Sequence, residues 1–147
     1  MDTSALAKLY QVETGTPRID SISQNALSRI GISRLTVVEM RSSFALKVRS
    51  GAFTKSEGMI LIQRFVRDVS SNRFEISRAA DSDFEAAGRL LERYGFDLRL
   101  RTLDAIQLAV AVKRALGGRL DYFVAADRVL CEVAALEGLA VINPDES

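Results

Sequence analysis

The sequence predicts an α/β domain with a mainly parallel central sheet flanked by helices in three layers. Three observations predict it. Short β-like runs alternate with amphipathic segments. Those segments are about a dozen residues long, the length that a crossover between parallel strands requires. The chain has 147 residues, 48% hydrophobic and 27% charged, which suits one domain over 1–147 with its own core.

In order along the chain, "SALAKLYQVET" reads as a first helix. A short strand near "IGISRL" leads into "TVVEMRSSFALKVRSG", whose apolar residues recur at helical spacing and which ends at Gly51, a C-terminal cap. In "TKSEGMILIQRFVRDVSSNR", Thr54 and Glu57 stand at capping-box spacing. "FEISR" is the next strand, followed by a helix over "DSDFEAAGRLLERYG" capped by Asp81 or Asp83. "TLDAIQLAVAVKRALGG" is the most apolar helix and belongs to the core. "YFVAA" is an apolar strand, "DRVLCEVAALEG" a helix, and "LAVIN" a last strand closed by Pro144.

Composition narrows the chemistry. Twenty basic residues against 19 acidic ones give a net charge of +1, so no global field marks a nucleic acid or a membrane as partner. The basic residues are mostly Arg, whose fork suits phosphate as well as surface ion pairs. No run approaches the roughly 20 apolar residues of a membrane span, and no basic segment with an apolar stretch behind it stands at the start. A cytoplasmic protein is expected. Cys131 is the single cysteine; its apolar helical neighbours make it an inert buried thiol rather than a nucleophile. There is no histidine. That removes His-based acid–base catalysis, Ser-His-Asp triads and His-ligated zinc together. Any enzyme chemistry must come from carboxylates.

In parallel sheets, ligands gather at the carboxyl ends of the strands. Four acids fall there: Asp2 before the first helix, Glu39 in the first turn after "ISRLT", Asp104 in the first turn of "TLDAIQLA", and Asp127 directly after "YFVAA". Singly, Asp2 and Asp127 also read as N-caps, and Glu39 and Asp104 as acids complementing a helix dipole. Together they would repel one another and raise their own pKa values unless a cation lay between them. An oxygen-only donor set selects Mg²⁺ or Mn²⁺, and such sites serve displacement at phosphorus.

"DTSALAKLY", "SRLTVVEMRSSFALKVRSG", "LRTLDAIQLAVAV", "YFVAADRVL" and "GLAVINP", in series over nearly the whole chain, resemble the PIN-domain ribonucleases, in particular the VapC-like toxins of type II toxin–antitoxin pairs. The resemblance implies metal-binding acids at Asp2, Glu39, Asp104 and Asp127, with Ser4 as the small hydroxyl that supports the first of them. It implies a Mg²⁺- or Mn²⁺-dependent endoribonuclease, a homodimer, held inactive by a small antitoxin. Glu39 or Asp127 could instead orient the attacking water. Arg34, Arg41, Arg101 and Arg128 lie close in sequence to the acids and suit either RNA phosphates or pairing with those acids. A module of the same fold without activity, binding RNA or an antitoxin, is the alternative.

Three positions depart from the family pattern. Gln107 stands where related chains often carry His, a change read as leaving metal chemistry untouched. Ala125 stands where many carry Ser or Thr, so a hydroxyl that would steady the last acid is missing. The family's first strand, which delivers the first Asp, is represented here only by Met1; the expected sheet has this strand missing or truncated, from a start placed too late or from a shortened protein.

Overall fold

The opening Asp-Thr-Ser run is a helix start. Asp2 is extended and its carboxylate accepts from the Ser4 amide, so α1 begins at once, Thr3–Leu6. In this computed structural model, which describes residues 1–146, the expected long first helix is short. It tightens into a 3₁₀ turn over Ala7–Leu9, and a second helix, α2 (Thr16–Gln24), follows Gly15. Gly15 has φ +81 and lies against Pro144 and Asp145, where a Cβ would overlap the Pro144 carbonyl; Pro17 opens the helix behind it.

The remaining elements fall where periodicity puts them: β1 (Gly31–Ser33), α3 (Arg34–Arg49), α4 (Lys55–Ser70), β2 (Glu75–Ser77), α5 (Asp81–Tyr94), α6 (Thr102–Leu116), β3 (Phe123–Val124), α7 (Arg128–Leu136) and β4 (Val141–Ile142). Gly51, at φ +79, ends α3 as expected, with the Ala52 amide reaching back to the Lys47 carbonyl. Thr54 and Glu57 form their reciprocal cap on α4. On α5 the cap residue is Ala80 rather than Asp81 or Asp83; Asp83 supplies the other half of the motif, accepting from the Ala80 amide at 2.8 Å. Buried there, it also pairs with Lys113 at 3.1 Å, which compensates its charge.

The strands pair in parallel, β1 with β2 and β3 with β4, as two separate two-stranded sheets. Met1 and Asp2 occupy the seam between them. The Met1 ammonium donates to the Gly31 carbonyl of β1 at 2.7 Å, and the Asp2 amide donates to the Val124 carbonyl of β3 at 2.8 Å. One bond to each side is too little to make a strand, so the single central sheet expected from sequence is divided here. A cleft of about 680 Å³ continues the seam past Met1, lined by Ile30, Gly31, Arg114, Tyr122 and Val124 among others. Burial holds the Met1 ammonium down to a pKa of about 6.

Each half-sheet has its own core. Tyr10, Phe44, Phe65 and Phe74 gather over β1 with α1, α3 and α4. Leu90, Leu108, Leu130 and Val133 with a set of alanines gather over β3 with α5, α6 and α7. As expected, α6 runs through the core, its residues Ala105–Ala111 all buried.

Candidate active site

The Asp2–Ser4 segment ties together every element that carries a predicted acid. Asp2 is buried at the seam, where its Oδ2 accepts from the Ser4 amide at 2.9 Å and from the Ser4 hydroxyl at 2.7 Å. The same hydroxyl accepts from the Ala126 amide at 2.9 Å. Ser4 therefore joins the first acid to the loop that presents Asp127. Between them, Thr3 turns its hydroxyl onto Glu39 Oε2 at 2.8 Å. Gln107, one turn beyond Asp104 on the same face of α6, donates its amide to that Glu39 oxygen as well.

Asp127 caps α7, its Oδ1 accepting from the Leu130 amide at 3.0 Å. Asp2 likewise caps α1. Both acids therefore have the structural role that a lone Asp at a helix start performs, and each keeps a second oxygen that makes no hydrogen bond among the described residues. Glu39 is not a first-turn acid. Ser33 caps α3 through the Thr36 amide and starts the helix at Arg34, which puts Glu39 in the second turn, beyond the reach of the helix dipole. Asp104 stands in the first turn of α6.

Charge on these groups is poorly compensated. The Asp104 carboxyl is pushed up to about 6, first by burial and then by the charges of Asp2 and Asp127, against a smaller opposing pull from Arg101. Glu39 is raised for the same reasons, burial first, with Asp2 and Asp104 adding to it while the Thr3 hydroxyl works the other way. Arg34, Arg41, Arg101 and Arg128 are all exposed, and none forms an ion pair among the described residues. Arg41 instead donates to the Val37 carbonyl. The donor set, oxygen-only with free lone pairs and uncancelled negative charge, fits a hard divalent cation. Among the described residues, no three acids are grouped tightly enough to enclose one.

Cys131 is half-buried, its thiol donating to the Ala125 carbonyl and pushed up to about 11 by burial, which leaves it unreactive. Ala125 is fully buried, and the Ser4 hydroxyl is what bonds the backbone beside it. Sequence reasoning missed Thr3 and Gln107 as partners of Glu39; the hydroxyl beside Asp2 and the one-turn spacing from Asp104 were the only signals available.

The parallel-stranded α/β architecture brings one buried acid, Asp2, and three half-buried ones, Glu39, Asp104 and Asp127, to one region of the molecule. The PIN domain model matches residues 1–136, and the chain belongs to the PIN domain family, whose members are generally metal-dependent nucleases. Among curated proteins, none matches it. Among the described residues, no helix is long and apolar enough to cross a membrane.

Proposed function

We propose that the protein is a Mg²⁺- or Mn²⁺-dependent endoribonuclease that acts as the toxin of a toxin–antitoxin pair. The observation that carries the nuclease chemistry is the set Asp2, Glu39, Asp104 and Asp127, in which burial and then the neighbouring carboxylates raise the proton affinity of Asp104 and Glu39. Family membership supports phosphodiester cleavage. The toxin role, a small protein antitoxin and a homodimer rest on the run of sequence motifs that resemble VapC-like chains.

Asp2, Asp104 and Asp127 would hold the ion, Asp2 and Asp127 through the oxygens their capping bonds leave free, and Glu39 would either join them or orient the attacking water. When bound, such an ion lowers the pKa of a coordinated water and offsets charge on the phosphate oxygens. The chain's own part is orientation: Ser4 fixes Asp2, the α7 amide fixes Asp127, and Thr3 with Gln107 fixes Glu39. Exposed Arg34, Arg41, Arg101 and Arg128 receive the RNA backbone.

Incubating the purified chain with single-stranded RNA and Mn²⁺ tests this. Cleavage is expected with Mn²⁺ and is lost on chelation or on Asp104→Asn. A folded chain that binds RNA but leaves it intact at saturating Mn²⁺ refutes the enzyme. That outcome favours the second reading, an RNA- or antitoxin-binding module, which the open spacing of the acids and Ala125 support.

A further inference from the structure

We infer that Gln107 is a positioning residue that fixes Glu39 for metal binding, an inference that rests on the proposed metal-dependent nuclease. Gln107 is buried, as are Ser33 and Thr36. Its Nε2 donates to Glu39 Oε2, while its Oε1 accepts from the Thr36 hydroxyl at 3.0 Å. A carboxylate only accepts, so the amide nitrogen must face it. The Thr36 hydroxyl must then spend its proton on Gln107. The Ser33 hydroxyl, 3.4 Å from Thr36 Oγ1, is left as the donor to it, and itself accepts from the Thr36 amide at the start of α3.

The result is a one-directional chain of donors, from the α3 N-terminus through Ser33, Thr36 and Gln107 to Glu39. Each bond polarises the next toward the carboxylate. Thr3 donates to the same oxygen of Glu39, so Oε2 is held from two sides and Oε1 is left without a hydrogen bond among the described residues. Oε1 is the oxygen offered to a cation. A neutral amide suits this task better than Lys or Arg would, because it orients the carboxylate and leaves its negative charge for the ion. The chain also fastens α3 to α6, so Glu39 and Asp104, which arrive on different helices, are held in one geometry.

The experiment compares wild type, Gln107→Met and Thr36→Val, all as the full chain. Mn²⁺ affinity is measured by calorimetry without RNA, cleavage is measured against Mn²⁺ and RNA concentration, and stability is measured in urea without metal. Gln107→Met keeps the volume and removes both bonds. Its Mn²⁺ affinity is expected to fall about 10–100-fold, as losses of groups that orient a ligand do. Cleavage at limiting Mn²⁺ falls in step and recovers at saturating Mn²⁺, with KM for RNA unchanged. Thr36→Val, which frees the amide to turn over, moves affinity in the same direction by less and stands in if Gln107→Met does not fold. A lowered urea midpoint with Mn²⁺ affinity unchanged in both variants makes the amide a packing group and overturns the inference. A wild type that binds no Mn²⁺ and cleaves no RNA overturns the proposed nuclease, and the inference with it. A wild type that does both while Gln107→Met is indistinguishable from it overturns the inference alone.

Discussion

The two halves of the sheet are packed by different means. Over β1 and β2 the core is aromatic, with Tyr10 edge-on to Phe44 at 5.9 Å and to Phe65 at 5.6 Å, and the Tyr10 hydroxyl anchored on Asp68 at 2.6 Å. Over β3 and β4 it is built from Ala87, Ala105, Ala109, Ala111, Ala125 and Ala134 between larger aliphatic residues. Small side chains let α5, α6 and α7 approach closely; large rings fill the wider space under α3 and α4. The acids are divided along the same line. Glu39 belongs to the aromatic half, Asp104 and Asp127 to the alanine-rich half, and Asp2 to the seam. The site therefore depends on how firmly the halves are joined.

The join is more than the two bonds of Met1 and Asp2. Val124 of β3 belongs to the aromatic cluster, and Leu35 and Ala79 pack against the other one. Arg114 of α6 reaches β2, meeting the Ser77 hydroxyl at 2.7 Å and Glu75 at 3.1 Å. These crossings predict that the halves unfold together. Phe65→Ala is expected to lower stability by about 3–5 kcal/mol and Leu130→Ala by about 2–5 kcal/mol, each within a single urea transition seen alike by tyrosine fluorescence and circular dichroism. Two separated transitions in Phe65→Ala would show that the halves are independent.

The seam itself is tested by pH. The Met1 amine has a folded pKa of about 6 against 8.0 unfolded. The unfolded chain thus holds the extra proton between these values, and stability is complete above pH 8 and declines as pH falls toward 6. Two units correspond to about 2–3 kcal/mol. Acetylating Met1 removes this slope while keeping an N–H for the Gly31 carbonyl, and the cleft past Met1 has room for the added group. Asp104 acts in the opposite sense. Its raised pKa makes its contribution fullest below 3.8 and lost as pH rises through about 6, so Mn²⁺ or Asp104→Asn should stabilise the chain at pH 8 more than at pH 5. Thermal melts across this range, with and without Mn²⁺, read both slopes; a flat profile in the unmodified chain would contradict burial of the ammonium.

Next in size is Ser4→Ala, which leaves the Asp2 carboxylate and the Ala126 amide each short of a partner at the point where seam and Asp127 loop meet. A cost of about 1–3 kcal/mol is expected, with Mn²⁺ affinity falling as well, since Asp2 and the Asp127 loop are no longer fixed to each other. Undiminished Mn²⁺ binding in a destabilised Ser4→Ala would confine the hydroxyl to a structural role.

What was legible in the sequence is what is local. Gly51 stands just past the apolar periodicity of α3, where a left-handed residue ends the helix, and the Asp2–Ser4 pair, which the family resemblance implies, is local as well. The contacts that sequence could not give join distant positions. Gln107 meets Glu39 across 68 residues, and nothing local in the sequence shows which carboxylate its amide faces. The second helix is hard to see in the sequence although Gly15 and Pro17 bracket its start, because its polar composition carries little apolar periodicity. The first helix is shorter than its pattern predicts, because the helical periodicity runs on through residues that tertiary packing bends into a 3₁₀ turn.

The capping box on α4 gives the smallest effect and a control for the rest. Thr54 and Glu57 hold each other's amides at 3.2 and 2.7 Å on an exposed helix start, within the aromatic half and apart from the seam. Thr54→Ala should cost about 1 kcal/mol and leave Mn²⁺ affinity and cleavage as in wild type. Ser4→Ala, at comparable cost, should alter both. If the two variants instead weaken Mn²⁺ binding equally, affinity is following global stability, and the linked hydroxyls and amide around the acids have no orienting role of their own.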